Sequence, residues 1–228
     1  MTTPIPNGLF IVIDGIDGAG KTTQAALLAP WFGEKGVLCS LSKEPTSNQW
    51  GQELRESASA GRLTIEEELE LFIKDRKEHI SLFKPTLDAG GVVILDRYYY
   101  STVAYQGSRG SDTDEIIARH REFAPEPDIA FVLDLPATEG IIRILNRGDE
   151  PNEFENPEAL DKARKIFCRL AESHTNIRIF DGSKSVRELR GLIQSAVLRT
   201  AMNKIAESGI TPEQLNKTLE WLYPGFAT

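Results

Sequence analysis

Gly15-Ile16-Asp17-Gly18-Ala19-Gly20-Lys21-Thr22, preceded by the apolar run Leu9–Ile13 and followed by Thr23-Gln24-Ala25-Ala26-Leu27-Leu28, decides the fold. The octet reads G-x-x-x-x-G-K-T between a strand and the start of a helix. Its glycines, Gly15, Gly18 and Gly20, let the backbone curl so that amides converge on phosphate oxygens, and the helix start adds the positive end of a dipole. Lys21 brings a cation to the β/γ-phosphates, and the Thr22 hydroxyl suits Mg²⁺. A purely structural glycine-rich turn is the alternative, and the strand–loop–helix context weighs against it. Residues Gly15 to Thr23, Ala19 included, therefore read as a loop that binds a nucleoside triphosphate.

Outward from this loop, short apolar runs alternate with helix-periodic stretches. Leu9–Ile13, Val37–Leu41, Val92–Leu95, Ile129–Leu135 and Ile177–Phe180 read as strands. Runs such as FIVI, VVIL and IAFVL are apolar at consecutive positions, as in strands covered on both faces. The expected fold is α/β, a five-stranded parallel sheet with helices on both faces, and ligands are expected beyond the strand carboxyl ends. The 228 residues suit one domain, and 40% hydrophobic with 26% charged residues excludes a disordered or fibrous chain. A net charge of −8 lacks the basic excess that grips bulk nucleic acid. Two cysteines, Cys39 and Cys168, make no disulfide framework; both sit in apolar surroundings and read as core packing in a reducing cytoplasm. The start MTTPIPNG has no signal-peptide pattern, and no apolar run reaches membrane-spanning length, so no membrane partner is expected. Residues 1–8 read as a tail, 9–198 as the domain with a lid at about 147–156, and 199–228 as a helical extension for packing or oligomer contacts. A homodimer is expected.

Three further segments carry chemistry. The third strand ends in Asp96-Arg97, where an acid orients Mg²⁺ through water and an arginine reaches a phosphate; a solvated ion pair is the plainer alternative. Thr64 to Phe83 has helical spacing, with Ile65, Leu69, Phe72, Ile73, Ile80 and Phe83 within an arc of ~100° and Arg76 in its middle. A cation on an apolar stripe needs a partner: either a structural ion pair, or a ligand held beside an aromatic platform at Phe72. The run Asp96 to Gly107, DRYYYSTVAYQG, is dense in aromatic and hydrogen-bonding groups and reads as a loop lining a base-sized slot, although Tyr98 to Tyr100 individually suit a packing patch.

With these parts in order, the sequence resembles the thymidylate kinase family, P-loop enzymes that transfer the γ-phosphoryl of ATP to dTMP. The resemblance covers roughly residues 9–198. It rests on GIDGAGKTT, the EPT segment at 44–46, LTIEEELELFIKDR, DRYYYSTVAYQG, RILNRGDEPNEFENPEALDKAR and the late DGSKS loop. It implies that Asp17 approaches the acceptor's sugar, that Phe72 and Arg76 stack on and hydrogen-bond thymine, and that Arg97 holds the acceptor phosphate. It places Tyr105 at the sugar's 2′ carbon, Gln106 and Ser101 in the acceptor site, and Asp181, Ser183 and Lys184 beside adenine. Arg143 belongs with the ATP site, and Thr22 and Asp96 with Mg²⁺.

The chain departs from the family pattern in two ways. Lys43 stands where an arginine precedes Glu-Pro, so the expected phosphate contact is a point charge rather than a fork. Gly18-Ala19 and Glu153 occupy both places where a catalytic arginine is usual. Arg147, four residues after Arg143 and adjoining the lid, is the replacement expected from the sequence. Two other readings stay open: a kinase for another deoxynucleotide or a modified pyrimidine nucleotide, and a nucleotide-dependent regulatory switch with weak catalysis.

Overall fold

The computed structural model describes residues 5–61, 63–148 and 156–209. Five strands, β1 (Leu9–Asp14), β2 (Cys39–Lys43), β3 (Val92–Asp96), β4 (Ile129–Asp134) and β5 (Ile177–Asp181), form one sheet in the order β2-β3-β1-β4-β5. All four pairings are parallel. Among the described residues seven helices connect them, α1 (Lys21–Gly33), α2 (Gln49–Ala60), α3 (Ile65–Asp88), α4 (Tyr99–Ser108), α5 (Thr113–Arg121), α6 (Ala137–Asn146) and α7 (Pro157–Ser173), and an eighth, α8 (Val186–Glu207), follows β5. Each expected strand is present, displaced by no more than two residues at either end.

The consecutive apolar residues of β1, β3 and β4 have the predicted cause: all are central and covered on both faces, so LFIVID and VVILD are buried throughout. The edge strands β2 and β5 are only partly covered. Because β1 is central, with β3 and then β2 on one side and β4 and then β5 on the other, the chain reverses its direction of growth beside β1. A crevice opens at such a switch point beyond the strand carboxyl ends. The Gly15–Thr22 loop, Arg97 and Asp17 all gather there.

The helix carrying Arg76 begins where its pattern begins. Thr64 caps α3 in a reciprocal capping box with Glu67, and the helix continues past Phe83 to Asp88. Leu71 is buried on a second side, as the periodicity implied, whereas Leu82 is 71% exposed. Three expectations are corrected. The aromatic run after Arg97 is not a loop but helix α4, with Tyr98, Tyr99 and Tyr100 fully packed into the core. The proposed boundary at 198 falls inside α8, whose Ala201 and Ile205 continue the same buried stripe while Lys204 pairs with Asp128. The tail also contributes to the core, since Ile5 is buried and its amide donates to the Gly90 carbonyl. Cys39 and Cys168 are half-buried rather than enclosed; Cys168 lies against the Asp134–Arg164 ion pair. Most of the segment expected to form a lid, 149–155 with Glu153, and residues 210–228 lie outside the described residues.

Candidate active site

The loop between β1 and α1 takes the curl its glycines permit. Gly15, Gly18 and Gly20 all have positive φ, and Gly20 is the residue from which α1 starts. Lys21 is buried, and its Nζ donates to the Ile16 carbonyl at 2.7 Å, so the ammonium is folded back over the loop. Burial and then the nearby Arg97 charge push Lys21 down to about 8, against the pull of Asp17, Asp96 and Asp14. A bound polyphosphate would strengthen the charged form further by replacing one carbonyl with several anionic oxygens.

Thr22 Oγ1 donates to Asp96 Oδ2 at 2.5 Å, which joins the first residues of α1 to the end of β3. The other oxygen, Asp96 Oδ1, is buried and has no hydrogen-bond partner among the described residues, and the same holds for Asp14 Oδ2. Orphaned carboxylate oxygens beside a threonine hydroxyl fit a hard divalent cation. Among the described residues there is no cluster of three or more acidic, histidine or cysteine ligands. A cation here would therefore take most of its ligands from phosphate and water, the usual manner of Mg²⁺.

Arg97 has φ 72, which turns the chain sharply as it leaves β3. Its guanidinium donates to Asp17 Oδ1, to Ser101 Oγ and to the Gly15 carbonyl, and lies over the Tyr105 ring. Ser101 in turn donates to Asp14 Oδ1, and Tyr105 donates its hydroxyl to Asp17 Oδ2 at 2.6 Å. Burial opposes ionisation of Asp17, but Arg97, Lys21 and the Tyr105 hydroxyl hold its carboxyl down at about 2. Asp14 has less support: burial pushes it up to about 6 despite Ser101 and Arg97.

Beyond Arg97 lies a cavity. Asp17, Arg97, Ser101 and Tyr105 form its wall with Phe72, Arg76, Tyr98 and Thr102, and Glu44, Pro45, Leu54 and Arg55 complete it. The structure thus brings Asp17, Phe72, Arg76, Arg97, Ser101 and Tyr105 together, six of the residues singled out from the sequence. It does not bring Lys43 or Gln106 into that wall. Lys43 ends β2 opposite Asp96 with an exposed side chain. Gln106 is fully buried, its amide donating to Glu68 Oε2 and its oxygen accepting from Arg109. The residues missed are Glu44, Arg55 and Thr102. Arg55 stands on α2 with its guanidinium on the Pro45 and Thr46 carbonyls; no motif marks it, and only the fold places α2 over the cavity.

Both readings of Arg76 meet in one geometry. The side chain is 1% exposed and forked onto Glu44, as a structural ion pair would be, yet it also lines the cavity one turn from Phe72. On the opposite side of the loop, Gly140 of α6 packs backbone to backbone on the loop, and Arg143, one turn on, donates to the Gly182 and Gly18 carbonyls. Arg143 thereby joins the loop to the turn holding Asp181, Ser183 and Lys184, which are exposed. Thr23 is also exposed, and Arg147 ends α6 on the surface.

A parallel five-stranded sheet with a phosphate loop after its central strand, and a half-open, mostly apolar cavity that shares that loop's wall and carries arginines and an aspartate, defines a P-loop kinase fold. The thymidylate kinase family model matches residues 13–193. Thymidylate kinase of Xanthomonas euvesicatoria pv. vesicatoria (strain 85-10) is 47% identical over 195 residues, covering 84% of this chain and 86% of that protein. The thymidylate kinase of Xanthomonas oryzae pv. oryzae (strain PXO99A) is 42% identical over 223 residues, 96% of each chain. That of Xylella fastidiosa (strain M12) is 46% identical over 167 residues, 73% of this chain and 76% of its own. The chain belongs to the thymidylate kinase family.

Proposed function

We propose that this protein transfers the γ-phosphoryl group of ATP to dTMP, giving dTDP and ADP. The observation that carries the reading is Asp17, which belongs to the phosphate loop and at the same time forms part of the cavity wall. A ligand seated in the cavity therefore abuts whatever the loop amides hold, which is the arrangement that direct transfer between two bound nucleotides requires. Phe72 and Arg76 offer an aromatic face beside a hydrogen-bonding cation, with the Tyr98 ring packed behind the Arg76 guanidinium; Arg97 and Arg55 offer guanidinium groups to an acceptor phosphate. Tyr105, tied to Asp17, sits where a sugar would pass.

Lys21 leaves the Ile16 carbonyl to meet the β/γ-phosphates, and Gly15 to Thr23 wrap them. Arg143, Asp181, Ser183 and Lys184 border the donor base. Mg²⁺, which Thr22 and Asp96 would hold, neutralises phosphate charge when bound. Arg147 supplies transition-state charge from the lid in place of the two absent family arginines. The same reading includes a homodimer; a reducing cytoplasm fits the two free cysteines, and the charge of −8 fits the absence of bulk nucleic acid as a partner.

ADP release measured with a panel of monophosphates, dTMP, dUMP, dCMP, dGMP and UMP, tests this. dTMP is expected to give the highest kcat/KM. A clear preference for another monophosphate would transfer the reading to that acceptor. ADP release with none of them would favour the regulatory switch.

A further inference from the structure

Arg76 enters the cavity wall with four of its five N–H groups already committed. Nε and Nη2 donate to Glu44 Oε2 at 2.8 and 2.6 Å, Nη2 also donates to Thr102 Oγ1 at 3.1 Å, and Nη1 donates to His120 Nε2 at 2.5 Å. The second hydrogen of Nη1 finds no acceptor among the described residues. Glu44 is itself fixed, since its Oε1 accepts from His79 Nδ1 at 3.0 Å.

His120 is the less expected partner. It lies in the last turn of α5, fully buried, with its ring stacked on Tyr99 and tilted against Phe123. Its Nδ1 is 2.7 Å from the Ile116 carbonyl, the i−4 position of the same helix. A carbonyl can only accept, so Nδ1 carries the proton. In the neutral ring Nε2 is then a lone pair, which is what a guanidinium N–H needs. Burial first, and then the Arg76 charge, push His120 down to about 3, so the acceptor form holds throughout the neutral range.

We propose that His120 is a positioning residue for base recognition: as a neutral acceptor it fixes the plane of the Arg76 guanidinium, so that the free Nη1 hydrogen meets a carbonyl oxygen on the acceptor's base. Nε and Nη2 converge on a single oxygen, Glu44 Oε2, with Thr102 beside it, so that edge by itself lets the planar guanidinium pivot about one point. With His120 the fork is pinned on both sides, and the remaining donor has one direction. Such a donor rewards a base that presents a carbonyl there, such as thymine or uracil, and disfavours one that presents an amino group, such as cytosine. The inference rests on the nucleotide-kinase reading of the same cavity.

The test compares wild type with His120→Phe, which keeps a ring between Tyr99 and Phe123 but offers no acceptor, and with His120→Gln, which restores one. His120→Phe should raise the KM for dTMP about tenfold, the effect of leaving one charged donor unpaired, and lower the preference for dTMP over dCMP, with the KM for ATP unchanged. His120→Gln should recover most of the loss. Wild-type KM and preference in His120→Phe, or a parallel rise in both substrates' KM, would overturn the proposal. The ¹⁵N shifts of the wild-type imidazole at pH 7 give a readout needing no variant: a neutral ring protonated at Nδ1 is expected, and protonation at Nε2 would overturn it. If wild type proves to use another monophosphate, the functional reading fails separately, and the variants are then compared on that acceptor.

Discussion

Arg76 was visible in the sequence as a cation on an apolar stripe, but its partners were not. Glu44 lies 32 residues away and His120 44 residues away, on β2's exit and on α5. Pairing over such distances is set by tertiary packing and has no local pattern. Knowing the partners changes what a substitution should do. Arg76→Ala leaves the Glu44 carboxylate, 3% exposed, without its counter-charge, and breaking a buried pair by removing one member costs roughly 3–5 kcal/mol. The variant should therefore melt early and also bind dTMP at least ~2 kcal/mol more weakly, because the ligand loses a charge-assisted donor. Thermal unfolding with calorimetry on the same sample checks both; normal dTMP affinity in a destabilised protein would leave Arg76 a purely structural residue. Gln106 shows the opposite failing of local reading. A polar side chain in an aromatic run invites a ligand, yet Glu68 and Arg109 already take its amide.

At the scale of elements, the phosphate loop and the strands were legible because their signals are local: glycine spacing, a following helix start, and continuous apolar runs. The contact between the loop and α6 was not, since a backbone-to-backbone approach leaves only two unremarkable glycines in the sequence. A Cβ on Gly18 would lie 2.3 Å from the Gly140 carbonyl, and Gly18 has φ +79. Any side chain at Gly18 therefore requires α6 or the loop to shift. Gly18→Arg should lower turnover, raise the KM for ATP and cost about 1–3 kcal/mol of stability, as overpacking does. Higher turnover with an unchanged Tm would mean that α6 yields easily. Arg147 follows the last residue of the same helix, at the start of the segment, about 147–156, expected from the sequence to act as a lid. Arg147→Ala should reduce kcat about 10²-fold or more with little change in dTMP affinity, the pattern of a contact made mainly in the transition state. A loss below about tenfold would remove Arg147 from the chemistry.

For the whole molecule, the order β2-β3-β1-β4-β5 sets the crevice in which loop, arginine and cavity meet, and the alternation of strand and helix patterns made that architecture readable. The extent of α8 was not, because its buried stripe continues through the place where the family pattern ends. Buried histidine also ties global stability to pH. His120 is held near 3 in the fold against about 6.5 when unfolded. As pH falls through 6.5, the unfolded chain takes up a proton that the native one refuses, so stability declines with acid until about pH 3. One proton corresponds to ~1.4 kcal/mol per pH unit, and His120→Gln should flatten the slope of unfolding free energy between pH 6 and 4 by about that amount. An unaltered slope would show the ring titrating normally. The central claim is that donor and acceptor are held in two adjoining sites and exchange a phosphoryl group directly. Phosphorus NMR of the protein with ATP, Mg²⁺ and dTMP reads that event: the resonances of dTDP and ADP should grow together as those of dTMP and the γ-phosphate disappear. Inorganic phosphate appearing in place of dTDP, or no change in any resonance, would contradict it.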